Sequence, residues 1–230
     1  MSAHKSYLVP NLVIVTRVIL AFVAVGLLSV PSPWAAVTAV VLTVVVIAMD
    51  GLDGYLARKL DLASELGAVF DITADRIVEH IYWIAFAVLG QVGLWVPLVI
   101  MTRSFLVDAV RGMALAHGKT PFGSTTLQKS ALNRFLTGSR FMRTLYAVAK
   151  TAAFVLLAAK MAVGRAVAFG VGAEPGAGLG WLVGFAGLSA AAPVAVWVAV
   201  ILCVVRGVPV LADGRAYLVG PEGGAEGATA

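Results

Sequence analysis

Six apolar runs of near-spanning length divide the chain, over residues 8–30, 34–56, 69–90, 92–116, 142–163 and 179–205. A bilayer core takes about 20 apolar residues per helix, because a spanning segment must satisfy its own backbone N–H and C=O groups. Gly, Pro or charge clusters separate the runs, which reads as an all-α integral membrane protein: a bundle of six transmembrane helices. Composition agrees, since 60% of the 230 residues are apolar and only 13% charged, about half the charged share of a soluble domain. A disordered chain, a basic nucleic-acid-binding domain and an ordinary cytosolic enzyme are excluded. The first run is too long for a signal peptide and carries Arg17 midway, so it is expected to stay attached. The single cysteine, Cys203, rules out a disulfide framework and any CxxC metal site.

Lys and Arg outside the runs fall on one side. Lys5, Arg58, Lys59, Lys119, Lys129, Arg134, Arg140, Arg143, Arg206 and Arg215 belong to the termini and to the connections after the second and fourth runs, whereas the alternate connections hold only Arg165. Positive charge marks the cytoplasmic side. Both termini are therefore expected in the cytoplasm, in the cell inner membrane, and the net charge of +5 reports topology rather than nucleic acid. Residues 1–219 read as a single transmembrane domain. The tail 220–230, small residues plus Glu222 and Glu226, reads as flexible.

Ionisable residues inside apolar runs are costly and mark function by default. Here they include Arg17; Asp50 and Asp53; Asp71, Asp75, Arg76 and Glu79; and Arg103, Asp108 and Arg111. Asp50 and Asp53 are three apart and Asp71 and Asp75 four apart, so each pair shares a helical face. The short connection between the second and third runs makes them antiparallel neighbours and gathers four carboxylates at their cytoplasmic ends. Such a cluster needs positive charge within it. Its hard oxygen ligands suit Mg²⁺ or Mn²⁺, and a pair of such ions is the usual clamp for phosphoryl displacement. Ion pairing with Arg17, Arg76, Arg103 or Arg111 is the structural alternative.

Read in full, the segment is Asp50-Gly-Leu-Asp53-Gly54-Tyr-Leu-Ala57-Arg58, eight residues, Gly67, three residues, Asp71, three residues and Asp75. It resembles, without a mismatch, the D-x2-D-G-x2-A-R-x8-G-x3-D-x3-D signature of the CDP-alcohol phosphotransferase (CDP-alcohol phosphatidyltransferase) family. Pro10-Asn11-Leu12 followed by Arg17 is similar to the family's first helix. The resemblance implies that Asp50, Asp53, Asp71 and Asp75 surround two divalent ions bridging the pyrophosphate of CDP-diacylglycerol, and that Asp75 is the general base. It also implies that Gly54, Ala57 and Gly67 leave room for the nucleotide while Arg58 pairs with a phosphate. A homodimer is expected by resemblance alone.

The acceptor is a small alcohol. Arg103 and Arg111, eight apart on one face, together with Arg140 and Arg143, form a candidate pocket for an acceptor phosphate; lipid headgroup anchoring is the alternative. The stretch 103–118 is most similar to phosphatidylglycerolphosphate synthases, which favours glycerol 3-phosphate, with inositol 1-phosphate, inositol or serine as alternatives. Arg76 departs from that branch, which commonly carries Lys there. An intramembrane prenyltransferase or a cation transporter would also place acids in helices, but neither needs Gly54, Ala57, Arg58 and Gly67 at these offsets. His4, His80 and His117 show no metal-ligand spacing.

Overall fold

The computed structural model describes residues 8–59, 65–116, 130–170 and 191–219; the side chains of 8–10, 52–66, 68, 116 and 216–219 lie outside the described set. Among the described residues it is all helical, with seven helices: α1 Leu8–Ser29, α2 Pro33–Lys59, α3 Glu65–Val88, α4 Trp95–Ala116, α5 Ala131–Gly138, α6 Arg140–Ala168 and α7 Ala191–Val219. Four are long and apolar enough to cross a membrane, with spans at Asn11–Ser29, Pro33–Gly51, Arg140–Ala168 and Ala191–Arg215. Helices α3 and α4 have 24 and 22 residues, but Asp71, Asp75, Arg76 and Glu79 on one and Arg103, Asp108 and Arg111 on the other dilute their apolar character. Charged residues stand there in place of the lipid-like residues that would mark a plain span.

Local chemistry sets the boundaries. Pro33 opens α2, where a missing N–H costs nothing. After α3 the chain turns through Gly90 at φ +69°, a left-handed conformation open to glycine, while the Gln91 N–H donates to the Phe86 carbonyl at 2.8 Å. That turn delays α4 to Trp95 rather than 92. The short helix α5 was not expected; the Ser130 hydroxyl accepts from the Asn133 N–H at 3.0 Å to start it, and Ser139 separates it from α6. The last helix departs most from expectation. It runs on to Val219 rather than stopping at 205, with Pro209 accommodated inside it. Residues 179–190 of the expected sixth run lie outside the described residues, as does the tail 220–230.

Contacts divide the chain into two compact units, Met1–Pro97 with Thr151–Ala195 and Leu98–Lys150 with Val196–Ala230. In the first unit α1 packs against α2 and α3. Its inward stripe is Ile14, Arg17, Ala21, Ala24 and Leu28, all buried at alternating spacings of three and four, while Leu12, Val15, Ile19 and Phe22 point outward and are exposed. Apolar residues thus cover both faces, as lipid on one side and protein on the other require, and small alanines let helices approach closely. Ala36, Ala39, Thr43 and Val46 form the matching stripe of α2. The Tyr82 hydroxyl of α3 donates to the Thr43 hydroxyl at 3.0 Å, and Thr43 donates in turn to the Ala39 carbonyl at 2.7 Å. Phe154 of α6 stacks on Tyr82 at 4.9 Å between ring centroids and meets Trp83 edge-on at 5.0 Å, locking α3 to α6.

In the second unit Val107, Val110 and Ala114 of α4 pack on Val210 of α7. Asn133 of α5 donates to the Asp213 carboxylate at 2.8 Å, tying the short helix to α7.

Candidate active site

The four signature aspartates fall where α2 ends and α3 begins. Asp50 lies in the C-terminal half of α2 and Asp71 and Asp75 in the first turns of α3, and the two helices bring ligand oxygens of these three residues within 4.8 Å of one another. Asp53, Gly54, Ala57 and Arg58 follow Asp50 on α2, with side chains outside the described residues. Gly67 sits in the first turn of α3, four residues before Asp71.

Among the described residues, Arg17 is the cation that sits among these acids. Arg17 is 1% exposed, on the inward stripe of α1, and its Nη1 donates to Asp50 Oδ1 at 2.5 Å and approaches Asp71 Oδ1 at 3.7 Å, while Nη2 donates to Asp75 Oδ1. Burying a guanidinium alone is strongly unfavourable, and the three carboxylates offset that cost. The acids themselves stay open: the side chains of Asp50, Asp71 and Asp75 are 54%, 44% and 45% exposed. The cluster is therefore a shallow bowl of carboxylates with Arg17 as its floor. One turn further along α3, Glu79 is buried, with Oε2 at 3.7 Å from Arg76 Nη1. Ion pairing with Arg17 and Arg76, the structural alternative, is thus present, but the half-exposed carboxylates keep room for a further ligand.

The second unit gathers basic side chains of its own. Arg103 on α4 is buried, and its stem lies against Gly207 of α7 so closely that a Cβ there would fall 2.6 Å from its Cγ. Arg206, beside that glycine, rests over the Tyr146 ring with its Cζ 5.3 Å from the centroid, and Arg103 and Arg143 are its charged neighbours. Among the described residues no hydrogen-bond partner meets Nε of Arg103 or Arg206, although both atoms are buried. Arg103 and Arg143, named from the sequence, therefore meet around a residue the sequence reading took only as an orientation charge. Arg111 lies on α4, eight residues after Arg103 and half-buried, and Arg140 is exposed at the start of α6. The signal for Arg206 was available: it follows the apolar stretch up to Val205 directly, where the expected sixth run ends.

Helices apolar on both faces, and a carboxylate cluster built where two of them meet, define an α-helical membrane protein with a candidate centre for hard divalent ions. More particularly, the chain belongs to the CDP-alcohol phosphatidyltransferase family, whose model matches residues 7–173. That range takes in the acidic cluster, Arg103 and Arg143; Arg206 lies beyond it. A Pseudomonas fluorescens protein named CDP-diacylglycerol–glycerol-3-phosphate 3-phosphatidyltransferase is 33% identical over 115 residues, covering 49% of this chain and 58% of that protein. A protein of the same name from Rickettsia bellii is 29% identical over 143 residues, covering 60% of this chain and 79% of its own. A Mycobacterium tuberculosis protein provisionally named cardiolipin synthase is 30% identical over 140 residues, 60% of this chain and 65% of its own. The chain thus matches less than two thirds of the length of the first and third of these.

Proposed function

We propose that the protein is an enzyme that transfers the phosphatidyl group of CDP-diacylglycerol to the hydroxyl of a small polar alcohol, glycerol 3-phosphate, releasing CMP. The observation that carries this is the convergence of Asp50, Asp71 and Asp75 within 4.8 Å, inside a signature that matches at every defined position. The donor set fits a hard divalent ion. Mg²⁺ takes oxygen ligands at about 2.0–2.1 Å in octahedral geometry, which puts adjacent oxygens about 2.9 Å and opposite ones about 4.1 Å apart, so oxygens within 4.8 Å of one another need only small shifts to share an ion. Asp50, Asp53, Asp71 and Asp75 would hold two Mg²⁺ or Mn²⁺ ions. When bound, these would neutralise charge on the transferred phosphoryl group and the departing CMP.

The chain's own residues do the rest. Asp75 accepts the acceptor hydroxyl's proton as that oxygen bonds to the β-phosphorus, and the bond from the β-phosphorus to the bridging oxygen breaks, with CMP leaving on the electron pair. Arg58 pairs with a phosphate oxygen, a task suited to a guanidinium fork, while Gly54, Ala57 and Gly67 leave the nucleotide room. Arg103, Arg111, Arg140 and Arg143, now joined by Arg206, hold the acceptor's phosphate. In this reading α1–α4, α6 and α7 make six crossings of the inner membrane with both termini and the acidic bowl on the cytoplasmic side, and the protein is a homodimer. The nucleotide then stays in the cytosol while the acyl chains stay in lipid.

CMP release from CDP-diacylglycerol, with Mg²⁺ or Mn²⁺ and a panel of acceptors, tests the reading. Glycerol 3-phosphate is expected to be turned over fastest among glycerol 3-phosphate, inositol 1-phosphate, inositol, serine and phosphatidylglycerol, the last included for the name of the mycobacterial relative. CMP formation with no acceptor at all rejects the assignment, and preference for another alcohol corrects the acceptor.

A further inference from the structure

The buried position of Arg17 beneath three carboxylates has a consequence for how the site is loaded. We propose that Arg17 is a built-in counter-ion that keeps the acidic cluster assembled by itself and makes loading of the second divalent ion depend on the pyrophosphate of the donor. This rests on the two-ion reading above, and Arg17 acts as a positioning residue, through the carboxylates, without touching substrate.

The geometry makes the guanidinium an integral part of the cluster. It touches Oδ1 of all three carboxylates, with Nη1 serving Asp50 and Asp71 and Nη2 serving Asp75. Asp71 Oδ1 is buried at the floor, so the exposure of that side chain belongs to its other atoms on the open side. Ile14 and Ala21, one turn away on either side, are buried in the same stripe of α1, which fixes the point from which Arg17 reaches α2 and α3. The open oxygens are left for ions, and the fixed positive charge remains below them.

Charge then sets the order of events. In the two-ion reading, the four aspartates that hold the ions, set against Arg17 alone, leave three negative charges. A first divalent ion leaves one, and a second would turn the site positive in a partly buried setting, which is unfavourable until an anionic pyrophosphate joins. Without Arg17 two divalent ions would neutralise the four acids, and the donor would not be needed for the second. Two opposing effects bear on affinity. A partner that orients ligands typically raises metal affinity 10- to 100-fold. A single positive charge about 4 Å from a divalent ion lowers it roughly thirtyfold even under full water screening, and by more where the charge is buried, as Arg17 is. Repulsion therefore prevails.

The test is Mn²⁺ binding to the purified full-length protein in detergent micelles, followed by electron paramagnetic resonance with and without CDP-diacylglycerol, for wild type, R17Q and R17K. In wild type the weaker Mn²⁺ step is expected to tighten by ten- to hundredfold when the donor is added. R17Q should bind that ion more tightly than wild type without donor, by the excess of the lost repulsion over the lost orientation, and its melting temperature should rise more on adding Mn²⁺. R17K keeps the charge and should resemble wild type, whereas a purely geometric tether would make it resemble R17Q. A weaker Mn²⁺ step whose affinity does not change with donor in wild type overturns the proposal even where R17Q fails to fold, and so does R17Q binding that ion no more tightly than wild type. If wild type binds no Mn²⁺ under either condition, the metal reading itself falls, and this proposal with it.

Discussion

Replacing Gly207 by alanine separates the basic cluster from the acidic bowl without removing a charge. The new Cβ would fall 2.6 Å from Arg103 Cγ, 2.7 Å from its Nε and 3.2 Å from its Cδ. Ordinary carbon contacts lie at about 3.5–4.0 Å, so the arginine stem must retreat by about 1 Å. Arg103 is only 9% exposed, which leaves little room for the retreat, and the clash falls on the middle of the side chain rather than on its mobile end. On the helix itself the change is favourable by about 1 kcal/mol, because alanine is a better helix former than glycine. The protein is therefore expected to fold normally with Arg103 displaced. A hydrogen bond to a charged group contributes about 1.5–3 kcal/mol, so losing one to the acceptor phosphate raises the KM for glycerol 3-phosphate about 10- to 150-fold. The KM for CDP-diacylglycerol should stay within about twofold of wild type. Steady-state CMP release, with each substrate varied in turn, reads both constants. An unchanged KM for glycerol 3-phosphate would refute the placement of Arg103 in the acceptor pocket, and an equal rise in both would show that Gly207 matters only for packing.

Other expected outcomes follow from the same geometry. Asp75→Asn should still bind CDP-diacylglycerol in an equilibrium binding assay yet lose at least about 100-fold in kcat, the usual scale of a general base; near-wild-type turnover would remove Asp75 from that role. Tyr82→Phe deletes the 3.0 Å bond to Thr43, whose hydroxyl keeps its partner at Ala39, so thermal unfolding in detergent should show a loss of only about 0.6–1 kcal/mol. Phe154→Ala removes the ring shared by Tyr82, Trp83 and Phe86 and should cost about 3–5 kcal/mol by the same measurement.

The sequence carried the helices and the acidic centre further than the rest. Spacing alone placed Asp50, Asp71 and Asp75 together, because two helices joined by a short connection have little choice but to lie side by side, and their carboxylates share faces fixed by the helical repeat. Arg17 was named as one of four possible ion-pair partners of the acids, but its place beneath Asp50, Asp71 and Asp75 was not legible. Its position on the buried stripe of α1 depends on how that helix is rotated about its axis, and a helix apolar on both faces gives no moment from which to read the rotation. For the same reason Arg103 could be assigned to a face but not to a neighbour, and Arg206 was set aside. The last helix continues past the expected end at 205 and through Pro209, since a proline within a long helix costs one backbone bond and the surrounding packing absorbs it. Capping by Ser130 and Ser139 made α5, a helix of 8 residues too short for any periodic pattern to announce.

The central claim is that the carboxylate bowl transfers a phosphatidyl group to an alcohol. Purified protein supplied with CDP-diacylglycerol, Mg²⁺ and isotopically labelled glycerol 3-phosphate should move the label into a chloroform-soluble lipid, one equivalent for each CMP released. Chelation of the metal or the Asp71→Asn change should abolish both products together. CMP release with no label in lipid would mean hydrolysis rather than transfer, and labelled lipid formed equally well by Asp71→Asn would mean that the chemistry lies elsewhere in the molecule.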